Sequence, residues 1–322
     1  MKRKAVRHLI SLLHLVGFGL LVLVVRNMDW TDFGRLLRLY PLWKYAAGLA
    51  ILCLVYGMKS YRWMILNRAG IHTTWSTSVV YYLSAGFLSV LTPGRLGEFA
   101  KVYFLKKNHQ TSLSLATSAV FLDRIWDVLV LSLAAGMYLL WLAGDAGVTG
   151  WTLLLLVLLF AGSLVLVLRP GWLFRPLRRV TRRFPSVHGK LDDLFTLWES
   201  RRFAHFLPSL GISGAAFLSL AFIPVIFAMG TPYPLHLRDG IGAISVSNIL
   251  SFLPITVAGF GTRELVFTTI WERLSYPVAA AISVSTVYFM VTYLGSLVIG
   301  GLVYVANVGR LFRWREWRSM RK

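Results

Sequence analysis

Long apolar stretches alternate along this chain with short runs of charge. A helix needs about 20 residues to cross the hydrocarbon of a bilayer. Leu9 to Val25, Leu42 to Leu66, Ser112 to Trp141, Trp151 to Leu168, Phe206 to Met229 and Pro277 to Asn307 meet or approach that length, which predicts six full transmembrane helices. Two further stretches are apolar but interrupted. Trp75 to Thr92 stops at Pro93 and resumes until Lys106 and Lys107, and Gly240 to Trp271 is broken in the same way. The first break reads SVLTPGRLGEFAKVYFL (Ser89 to Leu105) and the second SFLPITVAGFGTRELVF (Ser251 to Phe267). Proline lacks the N–H a helix needs and pushes the preceding residue out of the α region, so each stretch predicts a helix, a break and a second helix.

Basic residues fix the orientation, because Lys and Arg collect in cytoplasmic loops. They cluster at Lys2, Arg3, Lys4 and Arg7, through the loop Arg169 to Arg202, and in the tail from Arg310 to Lys322. Both termini are therefore expected in the cytoplasm. No small-residue cleavage site follows Val25, so the first span is read as uncleaved. Trp30 to Tyr40 is short and amphipathic and fits the interface, with an ordinary loop helix as the competing reading. On this topology each broken stretch enters and leaves on one side, as a re-entrant hairpin, and the two open to opposite faces. The expected architecture is an all-α polytopic membrane protein, one integral membrane domain over residues 1–322. Residues 42–141 (hairpin 75–107) and 206–307 (hairpin 240–271) form an inverted repeat, with a basic loop at 169–205 and a basic tail at 308–322. Paired interrupted segments in matching positions of two halves point to a transporter's binding site near the bilayer midplane. Self-similarity is thin: with Glu98 aligned on Glu264, Pro93 and Pro254 fall five residues out of register.

Composition narrows the chemistry. The chain is 57% hydrophobic and carries a net charge of +21. In a soluble domain that charge would suggest nucleic acid; here it is segregated between apolar runs and no nucleic-acid motif accompanies it, so anionic lipid is the expected partner. The single Cys53 excludes an internal disulfide. Seven histidines, none at ligand spacing, argue against a metal enzyme, and no cofactor is expected.

Ionisable residues inside a bilayer are expensive and usually face a cavity or a partner. Three groups qualify. Arg95 and Glu98 stand at helical spacing on the first hairpin, with Lys101 one turn on. Arg263 and Glu264 are adjacent on the second. Asp123-Arg124-x-x-Asp127 lies in the long span from Ser112, where two acids four apart share a face, roughly 16–23 Å into the helix at 1.5 Å per residue. The breaks Pro93-Gly94 and Gly259-Phe260-Gly261 free backbone N–H groups at the following helix ends, which suit an anion, and the Arg forks suit phosphate. The competing reading is that these charges pair with one another and lock the helices, with an Arg–Glu pair on each hairpin. Lys59 and Arg62, near a span's cytoplasmic end, are expected to snorkel, and His14 to make an interhelical contact.

At these residues the chain resembles a known family. Pro93-Gly94-x-x-Gly97-Glu98-x-x-Lys101, then Asp123-Arg124-x-x-Asp127, then Pro254 with Gly259-x-Gly261-x-Arg263-Glu264, look like the lysylphosphatidylglycerol synthase transmembrane region family, also called the flippase-like membrane protein family. Nearly the whole chain is covered. The resemblance implies lipid translocation, of aminoacylated phosphatidylglycerol in members fused to a synthase and of polyprenyl-phosphate sugars, hopanoids or envelope lipids in others. No soluble aminoacyl-transferase domain follows the last span here, so synthesis of the lipid is not expected of this chain.

The expected function is thus a flippase for a phosphate-bearing lipid in a bacterial inner membrane, not an enzyme. Arg95 and Arg263 would hold the phosphate, and Glu98, Glu264, Asp123 and Asp127 would balance them, contact a cationic headgroup or carry a proton. The rivals are a membrane-embedded enzyme acting on a lipid phosphate or lipid-linked sugar, and a scaffold subunit serving a separate lipid-synthesising enzyme. The sequence leaves headgroup, direction, energy source and oligomeric state open.

Overall fold

The computed structural model describes residues 31, 34, 35, 38–67, 70–142, 150–168, 206–252 and 261–312. The first predicted span with His14, most of the segment Trp30 to Tyr40, the basic loop, Pro254, Gly259 and the tail beyond Phe312 lie outside them. Among the described residues the structure is helical throughout. Helix α1 is Leu42–Asn67, α2 Trp75–Val90, α3 Ala100–His109, α4 Leu113–Leu142 and α5 Gly150–Leu168. In the second part α6 is Phe206–Ala228, α7 Leu237–Phe252, α8 Thr262–Arg273, α9 Val278–Phe289, α10 Gly295–Ala306 and α11 Val308–Phe312. Either side of the second break the helices run Leu237–Phe252 and Thr262–Arg273.

Among the described residues, four helical stretches are long and apolar enough to cross a bilayer: Leu42–Asn67, Leu113–Leu142, Leu207–Ala228 and Val278–Ala306. The last joins α9 to α10 through a π turn, Met290–Leu294. α5 adds the shorter apolar run Leu154–Val165. Their outer faces are bare hydrocarbon: Leu155, Leu158, Leu207, Val298 and Leu302 are exposed. Inside lie fully buried Arg62, Asp123 and Lys101. Apolar outside and charged inside inverts the soluble arrangement.

The break between α2 and α3 has its cause in local sequence. Thr92 is extended (φ −117°, ψ 138°) ahead of Pro93, and Pro93–Phe99 forms a 3-10 segment. The Thr92 hydroxyl donates to the Leu88 carbonyl (3.0 Å) and accepts from the Gly97 N–H (2.6 Å), tying both sides of the turn. The other break re-enters a helix at Gly261, whose φ of 85° favours glycine.

The two halves repeat the same helix pairings. α1 packs on α2 as α6 packs on α7, and α3 on α4 as α8 on α9. Between the halves, α1 meets α6, and the pairings cross: α2 packs on α10 and α7 on α4. Glycines allow these approaches. A Cβ on Gly300 would lie 2.6 Å from the Leu83 carbonyl oxygen, and one on Gly242 would lie 2.3 Å from the Tyr138 ring. Gly242→Ala is expected to cost about 1–3 kcal/mol by overpacking, with Tyr138→Leu in the same chain restoring much of it. Thermal unfolding of the purified variants checks this; no rescue by the second substitution would mean the α4–α7 contact is not what the alanine disturbs.

Candidate functional site

The site begins with the spacing of two acids on α4. Asp123 and Asp127, one turn apart, point at α1, and Arg62 answers both. Its guanidinium reaches Asp123 Oδ1 at 2.6 Å, the Asp123 carbonyl at 3.1 Å, Asp127 Oδ1 at 3.0 Å and the Ser213 hydroxyl of α6 at 2.6 Å. From α3, Lys101 Nζ lies 3.0 Å from Asp123 Oδ2, which also accepts the Tyr82 hydroxyl at 2.9 Å. Lys101 stands 4.0 Å over the Tyr82 ring, within cation–π range. Asp123 is therefore saturated, and both it and Arg62 are 0% exposed.

A second tier surrounds this core. Glu98 forms a close ion pair with Arg124 and lies 3.7 Å from Lys101. Arg124 also approaches Asp127 at 3.5 Å, and Lys59 holds Asp127 Oδ2 at 3.0 Å. Here the side chains reach open space: Lys59 is 21% exposed and Arg124 20%. Among the described residues the cluster sets four cations (Lys59, Arg62, Lys101, Arg124) against three carboxylates (Glu98, Asp123, Asp127), one positive charge in excess.

The second tier forms one wall of a cavity of about 160 Å³ between the two halves, lined there by Lys59, Glu98, Lys101, Arg124 and Asp127. From α7 and the α9–π–α10 span the described lining residues with polar side chains are neutral: Asn248, Ser251, Tyr288, Thr292, Tyr293 and Ser296, the last accepting the Tyr56 hydroxyl of α1 at 2.8 Å. The π turn presents neighbouring Thr292 and Tyr293 to the same space, a common use of such turns at functional sites. Leu52, Val55, Val130, Leu131, Phe217 and Leu220 supply an apolar flank.

The residues expected from sequence fall into three groups. Glu98, Lys101, Asp123, Arg124 and Asp127 meet in this cluster. Glu98, however, pairs with Arg124 and Lys101. The side chains of Pro93, Gly94 and Arg95 are outside the described set, so an Arg95–Glu98 pair is too, and the backbone from Pro93 to Phe99 is a 3-10 segment rather than an α-helix start. Arg263 and Glu264 form a close pair behind the cavity lining, with the Arg263 guanidinium 5.9 Å from the ring centre of Tyr293, which lines the cavity. Glu264 Oε2 accepts the Gly261 N–H (2.8 Å), so the helix end expected to hold an anion is occupied by the chain's own carboxylate. Arg263 Nε donates to Ser285 Oγ (2.9 Å), and its guanidinium packs 4.9 Å from the Phe289 ring centre. Neither side chain is among the cavity's walls.

Two residues reverse their expected behaviour. Lys59 and Arg62 do not snorkel to the interface but turn inward onto Asp123 and Asp127, because those carboxylates give them better partners than headgroups at the surface. Their spacing of three on α1, matched to two acids four apart on α4, was the available signal. Tyr82, Ser213 and the hydroxyls and amide of the neutral lining carry no comparable signal. Among the described residues no group of three or more His, Cys, Asp or Glu is placed to hold a metal ion.

The fold and the charged interior define a polytopic helical membrane protein with an internal polar cavity. The sequence profile of the family described as lysylphosphatidylglycerol synthase TM region matches residues 8–300, and the chain belongs to that family. It is also similar to a UPF0104 membrane protein of Methanocaldococcus jannaschii, with 24% identity over 229 residues, covering 68% of this chain and 93% of the relative.

Proposed function

We propose that this chain moves a phosphate-bearing lipid across a bacterial inner membrane without altering the lipid covalently. The observation that carries this reading is the cavity wall on which Lys59 and Arg124 share one carboxylate, Asp127, while facing open space. A phosphate oxygen entering there takes Asp127's place on Lys59 and Arg124, and Asp127 keeps Arg62 as its partner. The headgroup then trades one set of charge-assisted bonds for another instead of losing its hydration uncompensated. The apolar flank lets acyl or prenyl chains stay in hydrocarbon while the headgroup crosses.

The broken segments support the same reading. At 1.5 Å per residue, α2 and α7 (16 residues each) span about 24 Å and α3 (10 residues) about 15 Å, short of a hydrocarbon core of about 30 Å. Such helices suit re-entrant hairpins, and the repeated pairings suit two halves related by inversion with the site between them. The sequence carries no nucleotide-binding loop, so movement would run down a lipid or ion gradient.

The test is reconstitution into vesicles with headgroup-labelled phosphatidylglycerol in both leaflets and a quencher added outside. The protein should expose the inner-leaflet label, and Lys59→Gln should slow that exposure at least about tenfold while the protein stays folded. An unchanged rate in Lys59→Gln removes the phosphate role of this wall. A chemically altered lipid recovered afterwards would favour the enzyme reading instead.

A further inference from the structure

We infer that the outer face shared by α3 and α4 is a loading groove for one phosphate-bearing lipid, taken from the leaflet at the Lys106–Lys107 end, with the Phe99–Phe121 ring pair as its gate into the cavity. The inference rests on the reading of that cavity as a lipid-phosphate site. Its basis is a continuous stripe of exposed side chains. Phe99 has helical backbone (φ −67°, ψ −8°) where α3 begins. Phe99, Tyr103 and Lys107 therefore follow one another at the spacing of a helical turn, with Lys106 beside Lys107. All four are exposed. On α4, Leu113 and Phe121 are exposed in the same way. The two elements meet where the Phe99 and Phe121 ring centres lie 5.8 Å apart, edge to face.

The order along this stripe is that of a lipid within one leaflet. Lys106 and Lys107 stand in the last turn of α3, at the end that the positive-inside rule assigns to the cytoplasm. They meet a lipid phosphate at headgroup depth. Tyr103 suits the interface just above them. Phe99 is eight residues from Lys107, about 12 Å deeper at 1.5 Å per residue, which is still within one leaflet of a hydrocarbon core about 30 Å thick. Lysines in a last turn also suit the helix dipole. What gives them a further role is where the stripe leads. Glu98 immediately precedes Phe99, and Arg124 stands one turn past Phe121; these two form a close ion pair, and both line the cavity. Groove and cavity thus adjoin where the Pro93–Phe99 segment meets α4, with the exposed ring pair toward the lipid and the ion pair toward the cavity. One edge-to-face contact is a weak closure beside the charge-assisted bonds that hold Asp123, so the rings part first. A phosphate leaving the lysines meets Arg124 next, and Glu98 keeps Lys101 at 3.7 Å when Arg124 turns to the newcomer. The headgroup passes from cation to cation while its tails stay in hydrocarbon.

The experiment places the full chain in vesicles containing phosphatidylglycerol with a diazirine near the start of one acyl chain, and maps the adducts after irradiation. Adducts should concentrate on residues 99–121 at least about fivefold over the exposed face of α5 at Leu155 and Leu158. Lys106→Gln with Lys107→Gln should lower them at least about threefold, leaving the α5 adducts and the melting temperature unchanged. Even labelling of both faces would overturn the groove, and so would labelling indifferent to the two lysines. For the gate, Phe99→Cys and Phe121→Cys are combined with Cys53→Ala and joined by a bifunctional methanethiosulfonate. Joining should slow lipid movement at least about tenfold, and a reductant should restore it. Undiminished movement in the fully joined protein would overturn the gate. Selective labelling without lipid movement in the unjoined wild type would leave the groove standing and overturn transport. Movement without selective labelling would do the reverse.

Discussion

Asp123→Ala is expected to destabilise the protein by about 3–5 kcal/mol, the range for removing one partner from a buried ion pair. The substitution deletes the only carboxylate that Arg62, Lys101 and the Tyr82 hydroxyl all use. Arg62 is 0% exposed and cannot find water in its place. Two carboxylates would then face four cations with no counter-ion at the deepest point. Thermal unfolding in detergent, followed by size exclusion, should show a large fall in melting temperature. Asp123→Leu combined with Arg62→Met should be less damaging than Asp123→Ala alone, because it removes both ends of the pair and leaves Asp127 to Lys59 and Arg124. A wild-type melt for Asp123→Ala would mean that the cluster does not hold α1, α3 and α4 together, and the division of the site into a structural core and a cavity wall would fail with it.

That division explains which parts of the molecule are legible in the sequence. Helix breaks are local events, written in Pro93, Gly97 and Gly261, and the four-residue spacing of Asp123 and Asp127 states that they share a face before any partner is known. Partners are another matter. Arg62 and Asp123 are 61 residues apart, and a basic residue five positions from a helix end looks the same whether it rises to the headgroups or turns inward. The choice is made by the packing of α1 against α4 and α6, which periodicity does not encode. The same limit acts at Arg263. An Arg–Glu neighbour pair after a glycine break reads equally as an anion site and as a self-capped helix end. The side chain of Glu264 settles it by folding back onto the Gly261 N–H. Asn248 and Thr292 are harder still, since hydroxyls and amides in apolar helices are ordinary packing contacts and only the folded structure brings these two to the cavity.

Gly97→Ala carries the other large effect, and it reaches both stability and the site. A Cβ there would stand 2.1 Å from the Leu88 carbonyl carbon, 2.2 Å from its oxygen and 2.4 Å from the Ser89 nitrogen. These are backbone atoms of α2, so no rotamer change relieves the clash, and the 3-10 segment must move away from the helix it packs on. The cost should lie at or above the top of the ~1–3 kcal/mol range for overpacking. Movement would also break the Gly97–Thr92 hydrogen bond and displace the next residue, Glu98, from Arg124 and Lys101. Arg124 would be left on Asp127, the carboxylate that an entering phosphate has to displace. We therefore expect Gly97→Ala to lower the melting temperature and, in the fraction that remains folded, to slow lipid movement. Gly136→Ala serves as the control: nothing stands within 4 Å of its Cβ, so it should leave both unchanged or gain slightly from helix propensity. If Gly97→Ala melted and transported like the wild type, α2 and the Pro93–Phe99 segment would not be in contact, and the cavity wall built on that contact would have to be redrawn.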